Sequence, residues 1–457
     1  MMRLTWVQPE DLVGHALHQA AYDGIDVADL RERWVAAGGN PEPLHSGASG
    51  RAVGEALRRL ALDVLDEVDG RPSPFDVDEP TDLDAIRAVA PGFAAGRVLP
   101  EPGHGVLLDR IQGAWTGRAA GCLLGKPVEK VPRAGIREIL ESTGRWPLNG
   151  WFTAEGLPDD VAARWPWNRR SAATSLAENI DGMPEDDDLN FPMLNLSLLE
   201  RHGAALSTDD VAAGWLAELP AGRVFTAERV AYRNLLLGIA PERAARVRNP
   251  FHDWIGAQIR GDVYGWVNPA DPAAAAELAW RDSVLSHTRN GVYGAMFVAA
   301  AGAAAVVSDT VDDALDAGMS VVPPASRYAE AVRFARSLPG VYDDFESAVD
   351  AIERRFAGLH WVHVLNNTAL MVAALVFGQG DFARSVTFAV SGGWDTDSNG
   401  ATVGSLAGGL SGSSSLPEYW AAPLRNRVTS TLAGFDGIGF DTLARRTLAV
   451  SGWMGET

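Results

Sequence analysis

The sequence has little cysteine and little lysine. One cysteine, Cys122, occurs among 457 residues. An intrachain disulfide is therefore excluded, and a reducing compartment is expected. Only two lysines occur among the 39 basic residues, Lys126 and Lys130, and both lie in one glycine-rich stretch.

Long apolar runs are also missing. The most apolar run, from Ala295 to Val307, contains 13 residues, whereas a membrane-spanning helix needs about 20. The run is rich in alanine and glycine and predicts a buried core helix. The N-terminus from Met1 to Trp6 leads into polar and acidic residues without the apolar core of a signal peptide. We therefore expect a cytoplasmic protein with no membrane partner.

Positive charge is scarce relative to negative charge. Against 39 Lys and Arg residues stand 59 Asp and Glu residues, which gives a net charge of −20 and a pI near 4.8. This balance disfavours bulk binding to nucleic acid or to a membrane surface. It still allows an anionic small molecule that a local cationic site or a metal ion binds.

Alternating strand patterns are nearly absent, so the predicted fold class is all-α. Residues 1–104 are predicted to be a helical N-terminal extension that ends in a proline-rich connector. Its helices are expected near Pro9–Ala20, Val27–Ala36, Ala52–Val68 and Asp82–Val89. Residues 105–457 are predicted to be the main all-α domain. The oligomeric state is left open.

Four glycines follow one another at intervals of four residues, and we name them the first glycine ladder: Gly113, Gly117, Gly121 and Gly125. On a helix they form one groove without side chains. Glycine costs roughly 1 kcal/mol per position against alanine inside a helix, so four in register predict close packing of another helix. Pro127 should end this helix, which leaves Lys126 and Glu129 in the turn beyond it.

A polar stretch, from Asp395 to Asn399, follows Gly392 and Gly393 and precedes a run of small residues. Hard oxygen ligands converging at a helix start are typical of Mg²⁺ or Ca²⁺ sites. The simpler interpretation is a doubly capped helix with solvated acids, in which Asp397 or Ser398 is the N-cap.

A second acidic stretch consists of four consecutive acids, Glu185, Asp186, Asp187 and Asp188. Such runs are usually solvated, but these acids precede an apolar segment that predicts a buried helix. The carboxylates would repel one another at its start unless cations are present. Paired with the Asp395 stretch, they indicate a site for one or two cations, and oxygen ligands favour Mg²⁺ over zinc or copper.

Residues 107–410 resemble the ADP-ribosylglycohydrolase family, which includes the dinitrogenase reductase-activating glycohydrolases. The segment Gly121–Glu129 is similar to the family's "GDxxGxxxE" turn. The acids 185–188 are similar to its "TDDT" motif, and Asp395–Ser398 to its "DTDT" motif. Glycines 400, 404 and 408 match the small-residue helix that follows.

The resemblance implies an orthogonal helical bundle with two Mg²⁺ ions in a central cleft. It also implies hydrolysis of the anomeric C–N or C–O bond of an ADP-ribosylated protein or small molecule. The implied metal ligands are Asp186, Asp187, Asp395, Asp397 and Ser398. Glu185 and Asp188, which stand at the motif's threonine positions, are expected to join them. The implied catalytic carboxylates are Glu129 and Asp187, and the expected substrate contacts are Lys126, His287, Gly393 and Asn399. A histidine such as His287 can equally be a hydrogen-bonded core residue.

Three departures from the family pattern leave alternatives open. Cys122 replaces the acid of the first motif, and Glu185 and Asp188 replace two threonines. The acids at threonine positions would add a ligand or change the number of metal ions, or the register would shift so that Asp187 and Asp188 form the matching pair. Two other functions remain possible: hydrolysis of another N-ribosyl or nucleoside-like compound, and a non-catalytic ADP-ribose-binding or structural role.

Overall fold

A computed structural model describes residues 8–43, 53–95, 102–168 and 171–454 of the chain. The expectation about a signal peptide was based on residues Met1 to Trp6. These residues lie outside the described ranges. Within them the regular structure is helical, and only isolated β-bridges such as Met183 to Val428 occur. The prediction of an all-α fold is therefore confirmed.

The described part of the N-terminal extension contains five helices. They are α1 (Pro9–Tyr22), α2 (Ala28–Ala36), α3 (Glu55–Asp69), α4 (Leu83–Val89) and α5 (Gly92–Ala95). Helix α4 begins after Asp82, whose carboxylate accepts the Ala85 N–H at 3.0 Å as an N-cap. The helices predicted for this region are all present, within three residues at their starts.

The rest of the described chain forms a larger helical assembly. Its helices are α6 (His104–Gly125), α7 (Arg133–Ser142), α8 (Asp159–Arg164), α9 (Ala172–Ser175), α10 (Asp187–His202), α11 (Thr208–Glu218), α12 (Thr226–Leu236), α13 (Pro241–Ala244), α14 (Asp262–Trp266), α15 (Pro272–Ser283), α16 (Arg289–Ala305), α17 (Val311–Ser320), α18 (Arg327–Ser337), α19 (Phe345–Arg355), α20 (Val364–Gly378), α21 (Phe382–Ser391), α22 (Thr396–Ser411), α23 (Glu418–Ala421) and α24 (Phe440–Met454). All residues of α16 are buried, as its apolar run predicts. No helix in the described ranges is long and apolar enough to cross a membrane.

Helices α6 and α22 are antiparallel and pack backbone against backbone. The first glycine ladder on α6 faces a second glycine ladder on α22, formed by Gly400, Gly404 and Gly408. A Cβ atom built on Gly117 would lie closer than 3.0 Å to the Gly404 carbonyl oxygen, and one on Gly404 would meet the Gly117 oxygen equally closely. The end of α6 thereby lies beside the start of α22, where the Thr396 hydroxyl donates to the Gly125 carbonyl at 2.8 Å.

The N-terminal extension is joined to the main helices by buried ion pairs. Asp23, at the C-terminal end of α1, lies 2.9 Å from both Arg289 and Arg327. Glu79 lies 3.1 Å from Arg289 and 2.7 Å from Arg327. Both carboxylate side chains are at most 3% exposed. The division at residue 104 stays a prediction, but the extension is packed against the rest of the chain.

Candidate active site

Helix α22 begins directly after a sharp turn. Gly393 and Trp394 both have left-handed backbone conformations, with φ of 85° and 61°, which glycine adopts freely and tryptophan rarely. Asp395 is the N-cap by position, and not Asp397 or Ser398 as predicted, because the helix already starts at Thr396. The Asp395 side chain accepts no hydrogen bond from the helix. Its carboxylate is therefore not used for capping.

The acids of this turn are buried, which rules out solvated caps. Asp395 and Asp397 are 6% and 8% exposed. One oxygen each from Glu129, Asp395 and Asp397 lies within 4.8 Å of the others. We call these three residues the Asp395 cluster. Glu129 is brought there by the 3-10 turn Lys126–Val128 that ends α6.

Burial and mutual repulsion raise the pKa of the acids in the Asp395 cluster. Burial, followed by the charges of Asp397 and Glu129, raises the pKa of Asp395 well above its usual value. Burial, Glu129 and Asp186 raise the pKa of Asp397 to about 7. Carboxyl groups that resist ionisation in this way become stable as anions when a cation lies among them.

Helix α10 brings a second group of acids to the same place. Asp186 is its N-cap, and the Oδ1 atom accepts the Asp188 N–H at 2.9 Å. One ligand atom each from Cys122, Asp186 and Asp188 lies within 4.8 Å of the others, and we call these residues the Asp186 cluster. Ser398 on α22 donates to Asp188 Oδ2 at 3.2 Å and so connects the two clusters.

Charged groups of both clusters act on Asp187. Its side chain is half-buried. Burial, Asp186 and Asp397 raise its pKa well above the usual value, although Lys126 opposes them. Asp186 and Asp188 are members of the Asp186 cluster, whereas Asp187 is not. A role for Asp187 as a ligand or base stays a prediction.

Glu185, predicted as a metal ligand, is oriented differently. Its carboxylate pairs with Arg223 at 2.9 Å and accepts from the Asn190 amide at 2.9 Å. It is not a member of either cluster. Its contacts are with Arg223 and Asn190, and its role as a metal ligand stays a prediction.

Lys126 and His287, predicted to contact substrate, are both engaged within the protein. The Lys126 ammonium pairs with Asp186 Oδ2. His287 is fully buried, and its Nδ1 atom lies 2.8 Å from the Ser286 hydroxyl. Ser286 also accepts from Arg260 at 2.8 Å, which places His287 in a buried polar network. Among the described residues no contact links His287 with the carboxylate clusters. This favours the interpretation as a core residue, and a substrate contact of His287 stays a prediction.

Asn399 and Gly393 lie next to the Asp395 turn. The Asn399 amide donates to Asn367 Oδ1 at 2.7 Å, and the same oxygen accepts the Asp395 N–H at 3.3 Å. Asn399 Oδ1 is buried and has no hydrogen-bond partner among the described residues. Asn367 thus fixes the backbone from which Asp395 projects, and a substrate contact of Asn399 or Gly393 stays a prediction.

The roles of two residues that contact the acids of the clusters were not predicted from the sequence. Arg118, within the first glycine ladder, is fully buried and donates to the Asp188 carbonyl at 2.7 Å and to Asp262 Oδ2 at 2.7 Å. Asn168 donates to Glu129 Oε2. An arginine inside a glycine- and alanine-rich segment is itself a signal of a buried ion pair. Nothing in the local sequence marks Asn168.

Fold and site together define an all-α protein in which buried carboxylates at two helix starts could bind a metal ion. A sequence model of the ADP-ribosylglycohydrolase family matches residues 104–452, more than half of the chain. The chain belongs to this family and is a hydrolase, with glycohydrolase activity on ADP-ribose-related compounds. The resemblance seen in its motifs is therefore confirmed.

The chain is also similar to solved structures. One of them is described as an ADP-ribosylglycohydrolase-related protein complex, with 19% sequence identity and a TM-score of 0.45. The similarity covers 77% of this chain and 99% of that one. No curated protein matched the chain.

Proposed function

We propose that the chain is a Mg²⁺-dependent glycohydrolase that cleaves the anomeric C–N or C–O bond of an ADP-ribosylated protein or ADP-ribosyl small molecule. One observation carries the proposal: the Asp395 cluster gathers three carboxylates, and no ion pair neutralises Asp395 or Asp397 among the described residues. A reaction in the cytoplasm is part of the proposal, in keeping with the single buried cysteine.

The residues of the Asp395 cluster fit a hard divalent cation. All three offer carboxylate oxygens, which Mg²⁺ prefers. Burial, followed by the neighbouring carboxylates, raises the pKa values of Asp395 and Asp397, and a bound cation would favour their ionised forms. Asp395 and Asp397 would hold the ion, with Ser398 and Asp187 beside them. A bound ion in this position supplies polarisation of ribose hydroxyls and a lowered pKa of a bound water.

Glu129 is the candidate general base. Its Oε1 atom lies 2.7 Å from the Lys130 ammonium, and Oε2 accepts from Asn168. These two contacts fix the carboxylate in one orientation at the edge of the cluster. In that orientation it can accept a proton from an attacking water. Asp187, half-buried nearby, is the alternative base, and carboxylates of both clusters would stabilise an oxocarbenium-like transition state.

Replacement of both helix-start acids tests this proposal. Asp395→Asn with Asp397→Asn removes the uncompensated charge while keeping nearly the same side-chain volume. We expect release of ADP-ribose from ADP-ribosylated proteins and small molecules to fall at least about 100-fold. EDTA should have the same effect on the unaltered chain.

Asp309→Asn is the control for this test, because that side chain is 85% exposed and pairs only with Arg110 among the described residues. It should retain full activity. Retained activity in the double variant would contradict the proposal. Binding of ADP-ribose by the unaltered chain without any turnover would instead favour a non-catalytic role.

A second candidate is hydrolysis of a smaller N-ribosyl or nucleoside-like compound. It is favoured by the closeness of the extension to the site. Lys130, the partner of Glu129, lies 5.2 Å from the centre of a Trp361 ring. The adjacent His360 ring stacks on Trp254 and lies 6.0 Å from His15 of α1. An extension this near would restrict a large protein substrate, and kcat/KM for ADP-ribosylated protein, ADP-ribosyl small molecules and nucleosides would distinguish the candidates.

A further inference from the structure

The Asp186 cluster and the Asp395 cluster differ in the positive charge that the protein itself supplies. In the Asp186 cluster, the ammonium of Lys126 pairs with Asp186 Oδ2 and lies 3.4 Å from the Glu185 carbonyl oxygen. The lysine side chain is 15% exposed and that of Asp186 is 6% exposed. The other oxygen of Asp186 accepts the Asp188 N–H. Both oxygens of this carboxylate are therefore already occupied.

The second carboxylate of the Asp186 cluster also contacts a cation. The Arg118 guanidinium donates to Asp188 Oδ1 at 3.3 Å, and Ser398 donates to Oδ2 at 3.2 Å. Arg118 is fully buried and also pairs with Asp262 at 2.7 Å, so it cannot move aside easily. Two protein cations, Lys126 and Arg118, thus contact the carboxylates of Asp186, Asp188 and Asp262.

The third member of the Asp186 cluster is a poor ligand for a hard cation. Cys122 is fully buried. Sulfur is a soft donor, whereas Mg²⁺ and Mn²⁺ prefer oxygen ligands.

The Asp395 cluster lacks this compensation. Glu129 has one cationic partner, Lys130, whose side chain is 37% exposed. In the described parts of the chain, no cationic side chain pairs with Asp395 or Asp397. Three carboxylates therefore face one partly exposed lysine, and a divalent ion would restore the balance.

We propose that the Lys126 ammonium takes the place of a second divalent cation, so that the chain binds one divalent ion, at the Asp395 cluster. This inference rests on the proposed metal-dependent function, because it assigns the number of ions in the same site. Lys126 is then a positioning residue. Its fixed charge keeps Asp186 ionised and the start of α10 in place without a metal ion.

Counting bound Mn²⁺ tests the inference independently of catalysis. Mn²⁺ is titrated into the purified full chain, and the free ion is followed by its EPR signal, with calorimetry as a second measure. The unaltered chain should bind one equivalent. Lys126→Met, which removes the charge and keeps the length of the side chain, should bind a second equivalent. Lys126→Arg, which keeps the charge, should still bind one.

The other lysine supplies the matched control. Lys130→Met removes a cation from the Asp395 cluster, so its stoichiometry should stay at one. Two equivalents in the unaltered chain, one equivalent in folded Lys126→Met, or a second equivalent in Lys130→Met would each overturn the inference while leaving the metal-dependent function intact. An unaltered chain that binds no Mn²⁺ would overturn both. The first measurement needs no variant, so the inference can fail even if Lys126→Met does not fold.

Discussion

At the scale of single residues, the site depends on buried charges that are in contact with opposite charges. Arg118 illustrates this, since one fully buried guanidinium contacts Asp188 on α10 and Asp262 on α14. Ser405 on α22 also donates to Asp262. Removing one partner from such an arrangement leaves an uncompensated charge away from water. The unpaired charge lowers the free energy of unfolding by more than the intact ion pair contributes to it.

Arg118→Met should therefore destabilise the fold strongly. We expect a loss on the order of 3–5 kcal/mol in the free energy of unfolding, measured by urea denaturation. Arg110→Met on the same helix is the control, because Arg110 pairs with Asp309, which is 85% exposed. Its cost should stay below about 1 kcal/mol. Equal losses in the two variants would contradict the charge-matching argument.

The sequence predicts the chemistry of residues better than their direction. Asp186, Asp187, Asp188, Asp395 and Asp397 were predicted to share a site because two acid runs precede buried helices. The structure brings Asp186 and Asp188 into one cluster and Asp395 and Asp397 into another, joined through Ser398. Glu185, which is adjacent in sequence, pairs with Arg223 instead. A side chain's direction is fixed by the exact start of a helix and by distant partners such as Arg223. Neither is encoded in a short motif.

At the scale of elements, α6 and α22 determine where the two halves of the site meet. Their glycine ladders leave no side chains between the two backbones, so the Gly117 position has no room for a methyl group. The end of α6 and the start of α22 are consequently placed by backbone contact. Side-chain packing has little influence on that distance.

Gly117→Ala should force the two helices apart. We expect a loss of about 1–3 kcal/mol in the free energy of unfolding, as for an overpacked core, together with weaker Mn²⁺ binding at the Asp395 cluster. Gly105→Ala on α6 is a matched control, since a Cβ atom there meets nothing within 4 Å. Its stability should be unchanged or raised by up to about 1 kcal/mol. A neutral Gly117→Ala would contradict close packing as the purpose of the ladder.

Close helix packing could be predicted from the first ladder, but its partner could not be identified from spacing alone. The facing glycines on α22 lie 279 to 295 residues further along the chain (400−121 and 408−113), and α15 and α16 are also rich in small residues. Only the folded structure shows which two ladders face each other.

At the scale of the whole molecule, the N-terminal extension contributes charged side chains to a network of ion pairs and hydrogen bonds that it shares with the main helices. Asp23 contacts His252 as well as the arginines, with 3.5 Å between its Oδ2 and His252 Nε2. His252 Nδ1 lies 3.7 Å from Asp253 Oδ1 and 3.0 Å from the Thr288 hydroxyl. The sequence predicted the extension's helices. It gave no sign of this network, because the partners are more than 200 residues apart.

Stability should depend on the protonation of His252. Burial alone lowers its pKa, but Asp23 and Asp253 outweigh burial and raise it to about 9, from an ordinary value of 6.5. Since the folded pKa is raised, the stabilisation is complete below pH 6.5 and is lost as the pH rises toward 9. We expect the loss to be on the order of 1–3 kcal/mol.

Urea denaturation at about pH 6, 7.5 and 9.5, values that bracket the titration, measures this loss. The His252→Gln variant should show a smaller decrease in stability across the range than the unaltered chain. The difference between the two chains isolates His252 from other groups that titrate there. Equal slopes would show that the network does not depend on the imidazolium.

The repeat of the glycine ladders has a consequence for how the site can vary. Because both ladders repeat every four residues, a slide of one helix by one repeat would again place most glycines opposite glycines, displaced by about 6 Å. Two end contacts select the observed register: Thr396 with the Gly125 carbonyl at 2.8 Å, and Ser414 with Asp109 at 2.9 Å. If one helix moved by less than one repeat, its carbonyl oxygens would collide with the Cα atoms that lie between the glycines of the other helix. We therefore expect the distance between Glu129 and Asp395 to change only in steps of one repeat. Amino-acid substitutions could shift it by a whole repeat but could not adjust it gradually.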